Sequence, residues 1–491
     1  MSRTLALHAP IRPWQRQGAA ARAALIVAAL LLAPLLGLMT VFLPWQYVVV
    51  LVGAPILAVA AISFPLAGLV AVYALIFEAV PGFLQPDLPI GGIRLKLFDL
   101  AIAYLLAIAL CRAVLQGRTL WAPLREFRWP LVYLLVALAA SVFYVKTMAP
   151  NDRMLAEARA HIVWLLLPLT VFTLSTRDKH RRFLLCCAGI VAVVCVYMLL
   201  QTGLDLRIMT GSRVEALDAG ANADVVRSIA GGAIYIVVFV MFLTLNRLWE
   251  GRLSGWVALP LLLLLLLGIA VQFGRGIWVA SAMGLLVSAV VFRGFSGLLK
   301  TSLAMGTLLA LAFSLVLVVK PKTAEAMLER VTSIQGEIER GGSFGWRRIE
   351  NETARRVIAA RPLMGTGVGG DYKGVVSRTA SFANETTYIH NGYLYFPLKM
   401  GIWTAGIPFA FMLAFALCVR RYRRGDDGGG LDRGLLAALI GAFVVPLAAS
   451  YTQPEWTNPK GIAAYSLLMA VLVQMANLAR SERSSDDQGP A

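Results

Sequence analysis

One of the four histidines in the 491 residues stands in a setting suited to proton transfer. His390 closes a polar stretch, 384–388, directly before an apolar segment. A neutral imidazole accepts a proton from a hydroxyl at working pH, so His390 is predicted to be a general base, with a structural cap or interfacial residue as the alternative. Asn391 would orient the ring or bind substrate, or cap the following helix. Tyr388 is predicted to bind substrate, and His161, at the mouth of another apolar segment, to be an interfacial histidine bonded to a carbonyl.

Three arginines are placed to meet an anion. Arg275 lies between two apolar runs, where a charge usually faces a cavity or a partner, although it can also snorkel to lipid headgroups. Arg347 and Arg348 open a predicted helix, 346–360, and a basic helix at a membrane surface can equally bind headgroups. The periodicity of that helix predicts a stripe of Trp346, Ile349, Thr353, Val357 and Ala360 along one face.

A glycine-rich turn follows the predicted helix. Pro362 ends the helix, and backbone amides at Gly365 and Gly367 are predicted to cradle phosphate, although no Lys-Ser or Lys-Thr follows as in a P-loop. No Asp-x-Asp pair or histidine–carboxylate cluster is expected on the outer face to hold a metal. Arginines would then neutralise a phosphate leaving group, for which a bidentate guanidinium is suited.

Long apolar segments must position these residues. The chain is 59% hydrophobic and 15% charged, and its mean hydropathy is +0.73. Runs of about 17 to 25 apolar residues recur, and lipid leaves their backbone groups no partners but one another, so they are predicted to be helices. The fold class is therefore all-α, a polytopic transmembrane bundle of about 12 to 14 spans. The predicted spans are 23–43, 47–62, 64–80, 98–115, 129–146, 160–175, 183–203, 228–246, 255–273, 276–292, 301–319, 393–419, 434–450 and 460–479.

The distribution of basic residues predicts the topology. The net charge of +18 comes mostly from short loops between apolar runs, which argues for membrane orientation and against nucleic acid. Basic-rich loops alternate with basic-poor ones, so both termini are expected in the cytoplasm. The predicted domains are N-terminal spans 1–319, a periplasmic loop 320–391 with short helices, C-terminal spans 392–480 and a disordered tail 481–491. Segments 47–62 and 64–80 form either two spans or one re-entrant hairpin.

Three stretches in this order resemble the O-antigen ligase and O-antigen polymerase superfamily of bacterial membrane glycosyltransferases. The first is similar to the family's serine-arginine-glycine motif, with Gly274 in place of serine. The second resembles the family's arginine helix and the glycine turn after it, with Asn351 where the family has tryptophan. The third resembles the histidine-asparagine motif that opens the next span. The stretches are 273–278, then Arg347 with 362–367, and then 390–394 with 399–402.

The resemblance implies an inverting, metal-independent glycosyltransferase without a cofactor, in the bacterial inner membrane with a periplasmic active site. The donor would be a polyprenyl-pyrophosphate-linked glycan, and the acceptor a hydroxyl of a glycan or of lipid A-core, in lipopolysaccharide or surface polysaccharide biosynthesis. His390 would activate the acceptor, and Arg275 and Arg347 would hold the pyrophosphate, with Arg348 as a near-equivalent. The alternatives are a repeat-unit polymerase of the same superfamily and, from another class, a transporter of lipid-linked sugar. Membrane lipids, and not nucleic acid, are the expected surroundings.

Overall fold

The three-dimensional structure is a computed structural model. It describes residues 61–90, 93–117, 119–204, 214–216, 225–332, 343–373, 386–424 and 432–486, with the single positions 53, 59 and 206. The predicted span 23–43 and most of 47–62 lie outside these residues. The described part is built almost wholly from helices, which confirms the all-α prediction.

The helices follow the apolar runs of the sequence. In chain order they are α1 (Pro65–Ile76), α2 (Leu97–Leu115), α3 (Arg128–Met148), α4 (Met154–Arg159), α5 (Leu166–Thr173), α6 (Arg177–Leu204), α7 (Ala233–Trp249), α8 (Gly255–Ala270), α9 (Arg275–Arg293), α10 (Phe295–Val319), α11 (Pro321–Thr332), α12 (Ser343–Ala360), α13 (Gly392–Met400), α14 (Gly406–Arg424), α15 (Arg433–Ala449) and α16 (Pro459–Asp486). Short 3₁₀ turns occupy Gly82–Leu84, Ala122–Leu124, Ala160–Leu165 and Ile402–Ala405. Two antiparallel hairpins join β1 (Leu88–Ile90) to β2 (Ile93–Leu95) and β3 (Val214–Ala216) to β4 (Val226–Ser228).

Eight helical stretches of the described residues are long and apolar enough to cross a membrane, and four shorter apolar helices accompany them. Each predicted span from 64–80 onward overlaps one of these stretches, so the protein is a multi-pass membrane protein. The last helix continues to Asp486, into the segment 481–491 that was expected to be disordered.

The predicted span 393–419 is wrong at its start. Helix α13 ends at Met400, and the φ of +96° at the following Gly401 suits glycine and would place a Cβ against the carbonyl oxygen of Leu363. A 3₁₀ turn follows, and the membrane-length stretch begins only at Ile402. The nine residues of α13 pack instead against α12. An apolar run in the sequence therefore contains two elements with different roles.

Helix α16 forms the centre of the bundle. In this helix 83% of the apolar span is buried within the protein, whereas in α10 only 11% is buried. A helix that is apolar all round can satisfy either environment, so α16 packs against protein while α10 presents its leucines outward, as expected of a lipid-facing helix. Trp456, just before α16, stacks on Tyr465 with ring centroids 4.2 Å apart and anchors the preceding turn.

A close contact between α9 and α15 sets the position of Arg275. A Cβ added at Gly284 would lie 2.6 Å from the carbonyl oxygen of Gly441, and one at Gly441 would lie 2.5 Å from that of Gly284. Small residues let the two backbones approach in this way, as at many membrane helix interfaces. Helix α9 begins at Arg275, and α15 leads into the turn 450–458, so this contact holds the two together at one end of the bundle.

Polar contacts show that the connections between helices lie at two ends of the bundle. At one end, called the site end, Lys320 Nζ donates to the Thr202 carbonyl at 2.8 Å, and Arg159 lies 3.3 Å from Asp99. At the other, called the opposite end, Arg247 pairs with Asp432 at 2.5 Å and Arg421 with Glu126 at 3.0 Å. These pairs join connections that the alternation of basic loops predicts to share a side.

Candidate active site

Helix α12 buries a polar face at the site end. Its buried residues are Glu350, Asn351, Ala354 and Ile358, whereas Ile349 is 50% exposed. The predicted stripe through Ile349 and Ala360 is therefore not the buried face of the helix, since Ala360 is exposed as well. Glu350 can be buried because charged partners from other segments surround it, which replaces the water it loses.

Glu350 binds His390 at two points. The His390 backbone N–H donates to Glu350 Oε2 at 3.0 Å, and Nδ1 of the ring lies 3.0 Å from the same oxygen. The side chains are 0% and 13% exposed. The Tyr388 ring meets the imidazole edge-on, with centroids 4.8 Å apart at 89°. Because Glu350 contacts Nδ1 of the imidazole and Tyr388 packs against the ring, the orientation of the imidazole is fixed.

Lys373 completes this buried cluster. Its Nζ lies 2.5 Å from Glu350 Oε1, and its side chain is 7% exposed. Burial alone would raise the pKa of the Glu350 carboxyl, but the hydrogen bonds and charges of His390 and Lys373 outweigh burial and lower that pKa to about 2. Glu350 is therefore a carboxylate at any physiological pH. Neither Glu350 nor Lys373 was among the residues predicted from the sequence.

Asn391 caps α13. Its Oδ1 accepts hydrogen bonds from the backbone N–H groups of Tyr393 at 3.0 Å and Leu394 at 3.2 Å, the usual role of an asparagine at this position. The next residue, Gly392, donates its N–H to the carbonyl of Ser450 at 2.8 Å. The helix start is thus bound to the 450–458 turn, which fixes His390 relative to the bundle. The substrate-binding role of Asn391 stays a prediction.

The glycine turn after α12 packs tightly against its surroundings. Gly365 has φ +60°, and a Cβ there would overlap the Leu398 carbonyl oxygen. The N–H of Val368 donates to Ser141 Oγ at 3.0 Å, and that of Gly369 to Glu157 Oε2 at 2.7 Å. These amides serve the packing of the turn on the bundle. Phosphate binding by Gly365 and Gly367 stays a prediction.

Arg275 and His390 adjoin the same turn. Arg275 is half-buried at the start of α9, and a Cβ at the neighbouring Gly276 would lie 3.3 Å from Thr452 Oγ1. Two residues earlier, Phe273 is buried with φ +51°, which is uncommon for a bulky side chain. Backbone strain of this kind concentrates at functional sites. The 450–458 turn therefore brings the Arg275 and His390 segments together.

The two arginines of α12 face different surroundings. Arg347 is half-buried and lies one helical turn before Glu350, so both residues share a face of the helix. The side chain of Arg348 is 78% exposed and pairs with Glu352 at 3.4 Å. Of the two residues predicted for one role, the structure brings Arg347 toward the buried cluster and leaves Arg348 at the surface.

A cavity of about 440 Å³ is lined by Tyr388 and Ile389, the two residues that precede His390. Tyr388 and Tyr395 contribute aromatic surface, Asn458 contributes a polar group, and Arg153 and Arg159 lie at the lining. The volume falls in the range of small-molecule sites, and the mixture of aromatic and polar groups suits a sugar. His161 is only 5% exposed, and its Nε2 lies 3.5 Å from the Tyr395 hydroxyl, so its partner is a hydroxyl and not the predicted carbonyl.

Within the described residues, no group of three or more His, Cys, Asp and Glu side chains is arranged to hold a metal ion. The buried cluster instead joins one base, one carboxylate and one ammonium group. Such a group of side chains can support proton transfer from a hydroxyl.

Comparison with known families agrees with the motifs. Residues 259–409 match the family model described as O-Antigen ligase. The matched segment contains every predicted site residue, from Arg275 to Asn391, and also Glu350 and Lys373. No curated protein matches the chain.

Proposed function

We propose that this multi-pass membrane protein, which carries an O-antigen ligase domain over residues 259–409, transfers a glycan from polyprenyl pyrophosphate to a sugar hydroxyl. The observation that carries the proposal is the imidazole of His390, which is held by a buried carboxylate and contacted by Tyr388, a residue that lines a cavity. A hydroxyl is activated when a base held in position accepts its proton, and a fixed imidazole can be that base.

In the proposed reaction, His390 takes the proton of the acceptor hydroxyl as its oxygen attacks the anomeric carbon of the donor. The bond from that carbon to the pyrophosphate oxygen breaks, the configuration inverts, and polyprenyl pyrophosphate leaves. His390 then passes the proton to solvent. Tyr388 lies both against the imidazole and in the lining of the cavity, which supports this cavity as the place of the acceptor sugar.

Arg275 and Arg347 are proposed to bind the pyrophosphate. Each guanidinium can offer two parallel N–H donors to phosphate oxygens and stabilise the negative charge that grows as the bond breaks. Support comes from their half-buried positions, from the 450–458 turn that joins the Arg275 and His390 segments, and from the strained backbone at Phe273. No step in this scheme needs a metal ion. Arg348, Asn391, Gly365 and Gly367 remain proposed contacts to the donor.

We further propose that the site faces the periplasm from the bacterial inner membrane, with both termini in the cytoplasm. The support is the richness in lysine and arginine of the short connections at the opposite end, since such residues favour the cytoplasmic side. The proposed domains are spans 1–319, a loop 320–391 over the site, spans 392–480 and a tail 481–491. The working assignment is a ligase, with lipid A-core as the acceptor.

The proposal is tested with purified protein, a synthetic polyprenyl-pyrophosphate oligosaccharide and two competing acceptors, lipid A-core and a second lipid-linked oligosaccharide. A ligase joins the glycan to the core, and a polymerase lengthens the lipid-linked chain; mass spectrometry separates the products. Movement of the donor between leaflets of proteoliposomes with no new glycosidic bond would contradict the proposal and indicate a transporter.

A further inference from the structure

We infer that Glu350 is a positioning residue for the base His390, and that Lys373 holds Glu350 in its ionised form. The three side chains then act as one unit. This inference rests on the proposed glycosyl transfer and assigns roles to two residues outside the motifs that indicated it.

The burial of Glu350 is the first argument. Its side chain is 0% exposed, and taking a carboxylate out of water costs several kcal/mol before its partners are counted. A buried ion pair is weak evidence for stability, because apolar residues of similar volume usually do as well or better. Stability alone therefore does not account for a buried Glu350, and its contacts with His390 and Lys373 indicate another role.

The geometry of the contact is the second argument. Both the backbone N–H and Nδ1 of His390 lie 3.0 Å from Glu350 Oε2. A carboxylate only accepts hydrogen bonds, so Nδ1 of the neutral ring carries the proton and the lone pair is on Nε2. Glu350 thus selects the tautomer with a basic Nε2. When that atom takes the acceptor's proton, the adjacent carboxylate stabilises the imidazolium.

Lys373 sets the charge of the pair. Its Nζ lies 2.5 Å from Oε1, the oxygen farther from the ring. Without this ammonium group the carboxylate would act on the imidazole alone and favour the protonated ring, which cannot accept a proton. With it, Glu350 remains an anion while its effect on His390 is moderated. Tyr372 interacts with Glu350, Tyr388 packs against the His390 ring, and Arg347 lies one helical turn before Glu350 on α12.

A structural role would look different from a positioning role. If Glu350 only tied the 386–391 segment to α12, its loss would lower stability and donor binding and leave the pH dependence of kcat unchanged. If it acts through His390, its loss lowers kcat, changes the pH dependence and has no further effect once His390 is absent.

The experiment compares Glu350→Gln, Glu350→Asp and Lys373→Met with Glu352→Gln, a matched control on the same helix whose side chain is 46% exposed. Transfer is measured with the synthetic polyprenyl-pyrophosphate oligosaccharide and whichever acceptor the wild type uses. We expect Glu350→Gln to lower kcat about 10- to 100-fold with little change in KM, as for other partners that orient a functional histidine. Glu350→Asp should recover part of the loss, and Glu352→Gln should match the wild type.

The pH profile separates the two partners. Lys373→Met should move the acidic limb of the kcat profile to higher pH, because an unbalanced carboxylate favours the imidazolium. Glu350→Gln should move that limb to lower pH, because the anion is lost. Equal profiles in all variants would overturn the inference.

A double-mutant cycle keeps the test decisive if a variant is less stable. In the His390→Ala background, Glu350→Gln should have no further effect on residual turnover per folded molecule. Independent, multiplicative losses would show that Glu350 acts elsewhere. Full transfer by His390→Ala would remove the base on which the inference depends, whereas absence of transfer by the wild type would defeat the proposed function itself, so the two failures are distinguishable.

Discussion

The two ends of the bundle use carboxylates in different ways. At the opposite end, Glu250 accepts the backbone N–H of Gly434 at 3.0 Å, and Asp432 accepts that of Leu435 at 3.0 Å, both at the start of α15. At the site end, Glu350 accepts the backbone N–H of His390 and also meets its imidazole. The first arrangement completes a helix cap, whereas the second joins a cap-like contact to a titratable ring.

Solvent access separates the ends further. The side chains of Glu250 and Asp432 are 15% and 28% exposed, and Arg247 pairs with both of them from a 21% exposed position. The Glu350 side chain has no exposure. Charges at a helix terminus near water are inexpensive and stabilise the helix dipole, so the opposite end needs no further explanation. The buried charges of the site end are costly and indicate function.

The largest expected effect follows from removing the proposed base. His390→Ala should lower transfer about 10²- to 10⁴-fold, the usual contribution of a general base, while the protein remains inserted in the membrane. The matched variant is His180→Ala; this buried histidine lies in the first turn of α6 and interacts with Asp432 at the opposite end. Its turnover per folded molecule should equal that of the wild type. Product formation from the synthetic donor checks both. Wild-type turnover by His390→Ala would remove this residue from the mechanism.

The two ends of a single helix provide the next comparison. Arg275→Ala should lower turnover about 10²- to 10³-fold if its guanidinium stabilises the leaving pyrophosphate as an oxyanion-hole donor would. Arg293, the last residue of the same helix, donates to the Trp249 carbonyl at 2.9 Å and stacks over the Trp249 ring. Arg293→Ala should retain turnover and lose only stability.

Arg347→Ala should lower turnover by a similar factor, about 10²- to 10³-fold. Arg348→Ala, one residue later on the exposed face, serves as a comparison and should lose less, because its side chain is 78% exposed. Donor binding and turnover are measured for each variant. Unchanged turnover in both Arg275→Ala and Arg347→Ala would contradict the pyrophosphate assignment.

Two glycines test the packing of the ends rather than their chemistry. Gly365 and Gly251 both have positive φ, at +60° and +69°, but only at Gly365 would a Cβ overlap another group, the Leu398 carbonyl. Gly365→Ala should therefore destabilise the protein by about 3 kcal/mol or more, and Gly251→Ala by the smaller backbone strain of about 1 kcal/mol. Thermal unfolding in detergent measures both. Equal losses would show that the turn adjusts around a side chain.

The sequence predicts the scaffold better than the site. Long apolar runs must be helices in lipid, so every predicted span from 64–80 onward overlaps a helix. The predicted start of the span 393–419 is wrong, because hydropathy does not register the positive φ of Gly401, at which the apolar run is interrupted. Motif order placed Arg275, Arg347 and His390 within the matched segment. These predictions depend on local composition or on short motifs, which a single sequence contains.

The partners of the base depend on distant segments. Glu350 lies 40 residues before His390. In the sequence it lies outside the predicted stripe that contains Ile349, so it resembles a surface charge. The contacts of the glycine turn could not be predicted from the sequence for the same reason, because Glu157, which accepts a hydrogen bond from the N–H of Gly369, lies 212 residues before it. One local signal was present, because Glu350 is one helical turn after Arg347 and shares its face. A buried polar stripe on a helix is a better indication of a site than an apolar one.

The smallest expected effect is a pH dependence of stability confined to the site end. The folded-state pKa of Glu350, about 2, lies below the unfolded value of about 4.3. Its contribution is therefore complete above the unfolded value and is lost as the pH falls through about 2, because the unfolded chain binds the proton first. This contribution is on the order of 1 to 3 kcal/mol. The difference in apparent Tm between wild type and Glu350→Gln should be largest near pH 6 and shrink toward pH 2, while Glu352→Gln should follow the wild type throughout. A difference that stays constant with pH would show that the carboxylate is no more acidic in the fold than in the unfolded chain, and would remove the distinction between the two ends.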